Sequence, residues 1–255
     1  MSDDIGAPTR HPIAWQDPEF YDKVELDSEL RRVFDICHGC RRCFNLCDSF
    51  PRLFDLVDDA EDLELDGVDS ADFKKVADAC TLCDLCFMTM CPYTPPHEWN
   101  IDFPHLMLRY RAIEHHEGKK FTSASPRIAE VDSNGRLARY LAPVMNWATK
   151  ENNSFTRPAI EKFVGIDKRA VLPKFAGKTL VSRAKKSPPK VNVDAPAYGR
   201  KVALYATCFS NYHETSIGEA AHKVLAHNGV DVEVIYPRCC GMPQLEKGDI
   251  ERVAA

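Results

Sequence analysis

The sequence predicts a mainly α-helical N-terminal region followed by a truncated α/β unit in which one helix joins two parallel strands. Apolar residues recur at helical intervals over the first half of the chain, the cysteines fall into three groups, and a strand–helix–strand pattern lies near the C-terminus. The expected divisions are an N-terminal arm at 1–27, a helical cysteine domain at 28–118, a helical and basic linker at 119–198, and a partial α/β domain at 199–255.

Bulk composition excludes several classes of protein. The chain has 255 residues, of which 44% are hydrophobic and 28% charged, as is ordinary for a globular protein. A net charge of -5 favours neither nucleic acid nor an acidic membrane surface as the main partner. No apolar run approaches the roughly 20 residues of a spanning helix, and the start lacks the features of a signal peptide. We expect a cytoplasmic protein, with peripheral attachment to the inner face of a membrane left open.

Three helices are expected around the first two cysteine groups. The first should begin at Ser28 and the second at Ser70, since each serine precedes apolar residues at intervals of three and four. A third should run from about Asn100 to His116. The acidic stretch 54–72 is interpreted as a solvated connector between the two groups.

The region 119–198 carries no metal ligand in this interpretation. Apolar residues from Leu137 to Ala148 keep a helical rhythm and predict one amphipathic helix. From Lys168 to Lys190 there are eight basic residues and no acidic one. This run is either a solvated face or a docking surface for an acidic partner.

The C-terminal region changes to an α/β pattern. Residues 201–209 and 230–237 have the composition of buried strands, and residues 214–227 have that of a helix. A strand, a helix and a second strand over so short a stretch predict parallel strands. There is neither a GxGxxG loop nor a P-loop, so a nucleotide site has no support.

Eleven cysteines indicate the chemistry of the chain. In a reducing compartment, cysteines grouped at short spacing favour metal binding over disulfides. The first two groups each contain a CxxCxxC triplet and one later cysteine: Cys37, Cys40, Cys43 and Cys47, then Cys80, Cys83, Cys86 and Cys91. A triplet supplies three thiolates to a cubane cluster, and in two-cluster ferredoxins the last cysteine of each group serves the other cluster.

The spacing therefore predicts two [4Fe–4S] clusters with crossed ligands. The first cluster site should consist of Cys37, Cys40, Cys43 and Cys91. The second cluster site should consist of Cys80, Cys83, Cys86 and Cys47. Two features depart from the common pattern: Asp48 replaces a proline, and four residues rather than three precede Cys91. The alternative is a zinc-stabilised interaction module, since paired CxxC sequences also build tetrahedral zinc sites.

The third cysteine group lies at the ends of the two predicted strands. Cys208 ends the first strand, and Cys239 and Cys240 follow the second. Because the carboxyl ends of parallel strands lie at one edge of a sheet, we expect the three thiols to converge there. They form a candidate but incomplete third metal or catalytic site. The alternative is that they are small buried side chains of the core.

The chain resembles a family of iron–sulfur proteins, those related to heterodisulfide reductase and to the iron–sulfur subunit of anaerobic glycerol-3-phosphate dehydrogenase. The residues that carry the resemblance are CHGCRRCFNLC at 37–47, CTLCDLCFMTMCPY at 80–93, PPHEWNIDFPHLMLR at 95–109 and CCGMP at 239–243. The resemblance implies an α-helical ferredoxin domain with two [4Fe–4S] clusters, followed by a cysteine-rich domain named for its CCG sequence. It covers most of the chain and is weaker over 119–198.

The resemblance also implies partners. A flavin-containing dehydrogenase subunit would supply electrons, and a quinone or another redox protein would accept them. In some members the CCG cysteines and a later CxxC bind a non-cubane cluster that reduces disulfides. The chain stops at Ala255, before such a CxxC, so a truncated chain or a fragment is expected, with a third cluster only in a longer chain. Two functions follow from the resemblance. The chain is either an electron-transfer subunit or an oxidoreductase that reduces disulfides through Cys208, Cys239 and Cys240.

Overall fold

The computed structural model describes residues 8–119 and 128–255, and these are mainly helical with one small parallel sheet. The chain divides into two units, one of Met1–Lys120 with Gln244–Ala255 and one of Phe121–Pro243. The helices and strands in chain order are α1 (Lys23–Cys40), α2 (Ser49–Asp58), α3 (Phe73–Ala79), α4 (Phe103–His116), α5 (Val131–Ala138), α6 (Ala142–Ala148), α7 (Thr156–Val164), α8 (Leu180–Lys186), β1 (Lys201–Tyr205), α9 (Cys208–Tyr212), α10 (Thr215–His227), β2 (Asp231–Ile235), α11 (Met242–Leu245) and α12 (Ile250–Ala254).

Helix α1 is longer than the sequence pattern predicts. Its N-cap is Asp22, whose carboxylate accepts hydrogen bonds from the N–H groups of Val24, at 2.7 Å, and Glu25, at 3.0 Å. The expected cap at Ser28 is therefore inside the helix. A carboxylate that satisfies two free N–H groups also interacts favourably with the helix dipole, which explains the earlier start.

The acidic stretch 54–72 is only partly the solvated connector that the sequence suggested. Helix α2 extends into it and buries Phe54 and Val57, and Leu65 and Val68 are buried further along. Short 3-10 turns at Leu65–Gly67 and Ser70–Asp72 carry the chain to α3. The acidic side chains remain outside while alternate apolar residues anchor the stretch, because burial of apolar surface outweighs the loss of chain freedom.

An aromatic core joins the helices that carry the first two cysteine groups. Phe34 of α1 meets Phe73 of α3 edge-to-face at 5.1 Å between ring centroids. Phe103, at the start of α4, lies 4.6 Å from Phe50 of α2. Helix α4 itself begins at the expected place, with Asp102 accepting a hydrogen bond from the His105 N–H at 3.1 Å. These contacts fix the positions of the loops that follow α1 and α3.

The second unit contains the predicted parallel pair of strands. Strand β1 pairs with β2 in a register that places Lys201 beside Asp231 and Tyr205 beside Ile235. Helix α10 connects the two strands, as the sequence pattern indicated. Leu180, Ala206 and Val234 form the buried cluster against the sheet. The strand–helix–strand prediction is confirmed.

The region expected to be a linker contributes directly to this unit. Helix α8 lies within the basic run, and its Leu180 is only 1% exposed against the sheet. The single amphipathic helix expected over 137–148 is instead two helices, α5 and α6, separated at Arg139–Leu141. Pro143 lies in the first turn of α6, where a missing N–H is tolerated, whereas within a continuous helix it would remove a hydrogen bond.

The C-terminal residues Gln244–Ala255 belong to the first unit and not to the unit of the sheet, although we expected them in one α/β domain. Gly248 takes a left-handed conformation, with φ at 78°, and leaves no room for a side chain, since an added Cβ would lie 2.3 Å from the backbone of Arg111 in α4. Ile250 of α12 is buried. Among the helices of the described residues, none is both long and apolar enough to cross a membrane.

Candidate metal centre

The first cysteine group lies at the end of α1 and in the turn that follows it. Cys37 and Cys40 belong to the last turn of α1, and Arg41 ends that helix in a left-handed conformation, with φ at 50°. The reversal carries the chain through Cys43 to Cys47, one residue before the N-cap of α2. Asp48, which replaces the usual proline, accepts a hydrogen bond from Arg52 at 2.8 Å on the exposed side of α2.

The second group forms a tight loop between α3 and α4. Cys80 is the C-cap of α3, and the loop reverses direction at Leu82 and Asp84, which both take positive φ angles. Non-glycine residues in this conformation are uncommon and concentrate at functional sites. The Leu82 N–H donates to the Cys80 Sγ at 3.4 Å.

A π-helical turn at Cys86–Met90 accounts for the unusual spacing before Cys91. The Cys91 N–H donates to the Cys86 carbonyl at 2.8 Å, five residues back in the chain. A π turn accommodates one more residue than an α turn, so the fourth residue between Cys86 and Cys91 needs no loop of its own. Such turns are frequent at functional sites.

One cavity brings together members of both groups. Its lining includes four cysteines and the apolar side chains of Ile36, Phe50 and Ile101. The four cysteines are those expected for the first cluster site: Cys37, Cys40, Cys43 and Cys91. Cys91 therefore lies with the first group, although it belongs to the second in the sequence.

The electrostatics of the thiols reflect this crowding. Burial raises the pKa of the Cys37 thiol well above its ordinary value, and the neighbouring Cys91 sulfur is the next contributor. Burial, with further contributions from Cys91 and Cys40, raises the pKa of the Cys43 thiol to about 11. Burial and the neighbouring sulfurs both disfavour the thiolate form of these cysteines, and a bound cation would favour it.

The remaining cysteines interact as a second set. Burial raises the pKa of the Cys80 thiol, the Leu82 N–H and Arg111 oppose that shift, and the sulfurs of Cys47 and Cys83 add to it. Burial also raises the pKa of Cys86, on which the sulfurs of Cys43, Cys80 and Cys47 all act. Cys47 is thus close to the second group, while Cys83 is exposed. Because Cys86 interacts with sulfurs of both sets, the two sets are neighbours.

Three charged residues near the cysteines were not identified from the sequence. Arg10 pairs with Asp84, at 2.8 Å, and with Asp102, at 2.7 Å, and its guanidinium lies 4.4 Å above the ring centre of Phe87. Part of the expected N-terminal arm therefore holds the second cysteine loop. Arg111 and Asp132 are the others. Arg111 carries a signal that could have been found, since it is a charged residue among the apolar residues of α4.

The third cysteine group meets at the edge of the sheet. Cys208 begins α9 directly after β1, with Thr207 as its N-cap, and Cys239 follows β2. Burial raises the pKa of the Cys239 thiol to about 11, and a hydrogen bond from the Gly241 N–H opposes this shift. The sulfurs of Cys208 and Cys240 raise the pKa further, and Cys208 does so through a hydrogen bond as well. Cys239 thus lies close enough to Cys208 and Cys240 for both sulfurs to act on its thiol.

Asp132 of α5 orients this third group. Its Oδ2 accepts a hydrogen bond from the Cys239 N–H at 2.9 Å, and its Oδ1 accepts one from the Tyr236 hydroxyl. A single carboxylate therefore ties the backbone of the CCG residues to the end of β2.

Asp132→Asn should lower the free energy of unfolding of the second unit by about 1–2 kcal/mol. An asparagine keeps one acceptor oxygen for the Cys239 N–H and presents an amide N–H to the Tyr236 hydroxyl, so both hydrogen bonds lose the charge of the carboxylate and become weaker, at a combined cost of about that much. Chemical denaturation of the metal-free protein measures the change. Glu233→Gln, which makes the same charge change on the exposed side of β2, should alter stability by less than about 0.5 kcal/mol. Equal effects of the two variants would contradict the orienting role of Asp132.

Comparison with known proteins adds no assignment to this geometry. No protein-family model matches the chain, and no solved structure matches it. Among the described residues, no group of three or more histidine, cysteine, aspartate or glutamate side chains is arranged to hold a single metal ion.

Proposed function

We propose that this chain is an electron-transfer subunit that holds two [4Fe–4S] clusters in a ferredoxin-type domain. In this proposal it relays single electrons between a flavin-containing dehydrogenase and an acceptor such as a quinone or another redox protein. The observation that carries the proposal is the shared cavity of Cys37, Cys40, Cys43 and Cys91. A cysteine from the second group completes a triplet from the first, as two-cluster ferredoxins require.

The donor set fits the proposed group. Each cysteine set offers four thiols, and apolar side chains line the first cavity. Burial and neighbouring sulfurs raise the pKa of Cys37 and Cys43, and a bound cluster would supply the positive charge that stabilises their thiolate forms. The second set is Cys80, Cys83, Cys86 and Cys47, in which Cys47 acts electrostatically on both Cys80 and Cys86. When bound, the clusters supply reversible one-electron chemistry.

The residues of the chain would control that chemistry in three ways. Ile36, Phe50 and Ile101 limit the access of water to the first site. Backbone N–H groups donate to sulfur, as at Leu82, and such hydrogen bonds raise a cluster's reduction potential. The proximity of Cys86 to sulfurs of both sets supports the passage of electrons between the two sites.

Anaerobic iron and acid-labile sulfide analysis tests the proposal, together with low-temperature EPR of the dithionite-reduced protein. We expect about eight irons and eight sulfides per chain and the spectrum of two interacting reduced cubanes. A soluble quinone added to the reduced protein should restore the oxidised spectrum without loss of iron. Zinc in place of iron would overturn the proposal and favour the interaction module, and about four irons per chain would remove the paired-cluster assignment.

A further inference from the structure

Arg111 is a buried cation in the first unit. It projects from α4 among the residues of the helical core, and its side chain is among the few charged ones that the core contains, with the residue 9% exposed. Charged side chains are rarely buried unless an opposite charge compensates them, because burial removes their hydration.

The hydrogen-bond partners of Arg111 are backbone carbonyl groups. Its Nη2 donates to the Ala77 carbonyl at 2.6 Å and to the Cys80 carbonyl, and its Nη1 donates to the Glu246 carbonyl at 3.1 Å. Its buried Nε has no hydrogen-bond partner among the residues that the structure describes. Within residues 8–119 and 128–255, no carboxylate forms an ion pair with this guanidinium. The guanidinium is thus held by neutral acceptors and its charge is left uncompensated by carboxylates.

Arg111 lies against the second cysteine group. Arg111 binds the carbonyl of Cys80, and its charge acts on the Cys80 thiol. Four thiolates around a cubane carry more negative charge than the iron compensates, so the ligand shell is anionic. Arg111 is a buried cation that donates a hydrogen bond to the carbonyl of one ligand, Cys80. It therefore lies where it can offset this negative charge.

We propose that Arg111 is a positioning residue that raises the reduction potential of the cluster held by Cys80, Cys83, Cys86 and Cys47. This inference rests on the proposed function. Reduction adds one negative charge to the cluster, and a nearby buried cation stabilises the reduced form more than the oxidised form. The Nη1 group of Arg111 also donates to the Glu246 carbonyl, so the guanidinium links the cysteine loop to the C-terminal segment. Arg111 is not among the residues that line the first cluster site.

The test is an EPR-monitored redox titration of the wild-type chain and of Arg111→Gln and Arg111→Lys. Glutamine removes the charge and keeps a donor, whereas lysine keeps the charge and loses the planar fork. At a fixed solution potential, Arg111→Gln should lower the ratio of reduced to oxidised second cluster about tenfold, a shift of about 59 mV for a one-electron couple. Arg111→Lys should shift it much less, and the first cluster should be unchanged in both variants. Lys75→Gln removes an exposed charge from α3 and should leave both clusters unchanged.

Each outcome decides the inference. If Arg111→Gln alone loses the second cluster and retains about four irons, the result supports the inference that the second cluster requires the positive charge of this side chain. Equal shifts in Arg111→Gln and Arg111→Lys, an equal shift of both clusters, no shift at all, or failure of both variants to fold would overturn the inference and leave Arg111 a residue of the fold. A wild-type chain without iron would instead overturn the proposed function, so the two failures are distinguishable.

Discussion

Replacing Cys91 with serine should remove the first cluster, although Cys91 belongs to the second cysteine group in the sequence. The reason is its place in the cavity, which it lines together with Cys37, Cys40 and Cys43. We expect the iron content to fall from about eight to about four per chain, since a cubane that loses one of four thiolates is seldom retained. Anaerobic iron analysis and EPR of the reduced variant measure the loss and identify the remaining cluster.

The matched variant is Cys47→Ser, which should remove the second cluster and retain the first. The two variants together distinguish crossed ligation from uncrossed ligation. If each group holds its own cluster, Cys91→Ser would abolish the signal of the Cys80 group instead. Cys240→Ser serves as the control, because Cys240 lies in the second unit and its loss should leave the iron content at about eight.

Gly248→Ala should release the C-terminal segment from α4. A Cβ atom at this position would lie 2.3 Å from the carbonyl carbon and oxygen of Arg111, and these are backbone atoms that cannot turn away. The left-handed conformation of Gly248 adds a cost of about 1–2 kcal/mol for any other residue. The forced contact adds about 1–3 kcal/mol to this cost, so we expect the free energy of unfolding to fall by about 2–5 kcal/mol. Thermal unfolding and limited proteolysis of Gln244–Ala255 measure it.

Gly118→Ala is the control for this substitution. Gly118 has a φ of 73°, close to the 78° of Gly248, but an added Cβ there would meet nothing within 4 Å. This variant should therefore show only the conformational cost of about 1–2 kcal/mol and an unchanged proteolysis pattern. If both alanine variants lose the same stability, the contact between Gly248 and Arg111 contributes nothing and the segment is not held there.

Much of the local structure followed from residue patterns alone. Apolar spacing located α4 and the strand–helix–strand unit, because a half-buried helix or strand must repeat its apolar side chains with its own period. Cysteine spacing along the chain was enough to sort the thiols into three groups. Boundaries were less well predicted where a polar side chain decides them, as at Asp22, which starts α1 earlier than Ser28 would.

Other features depend on contacts between residues far apart in the chain. The π turn at Cys86–Met90 resolves a spacing that looked irregular, and no local propensity indicates it. The region expected to be a linker contains Leu180, which is core because the sheet lies against it. Arg10, Arg111 and Asp132 acquire their roles only from the carboxylates, carbonyls and thiols that the fold places beside them.

The sequence by itself therefore predicted which residues would carry the proposed chemistry, since a thiol is a ligand by its type and a CxxCxxC triplet is local. It also determined the helical and α/β character of the two halves, through the periods of their apolar residues. Only the tertiary structure decided that a buried guanidinium binds the Cys80 carbonyl and that Gln244–Ala255 belongs to the first unit. These are long-range arrangements, and the energy that selects them comes from side chains that pack together only after the chain has folded.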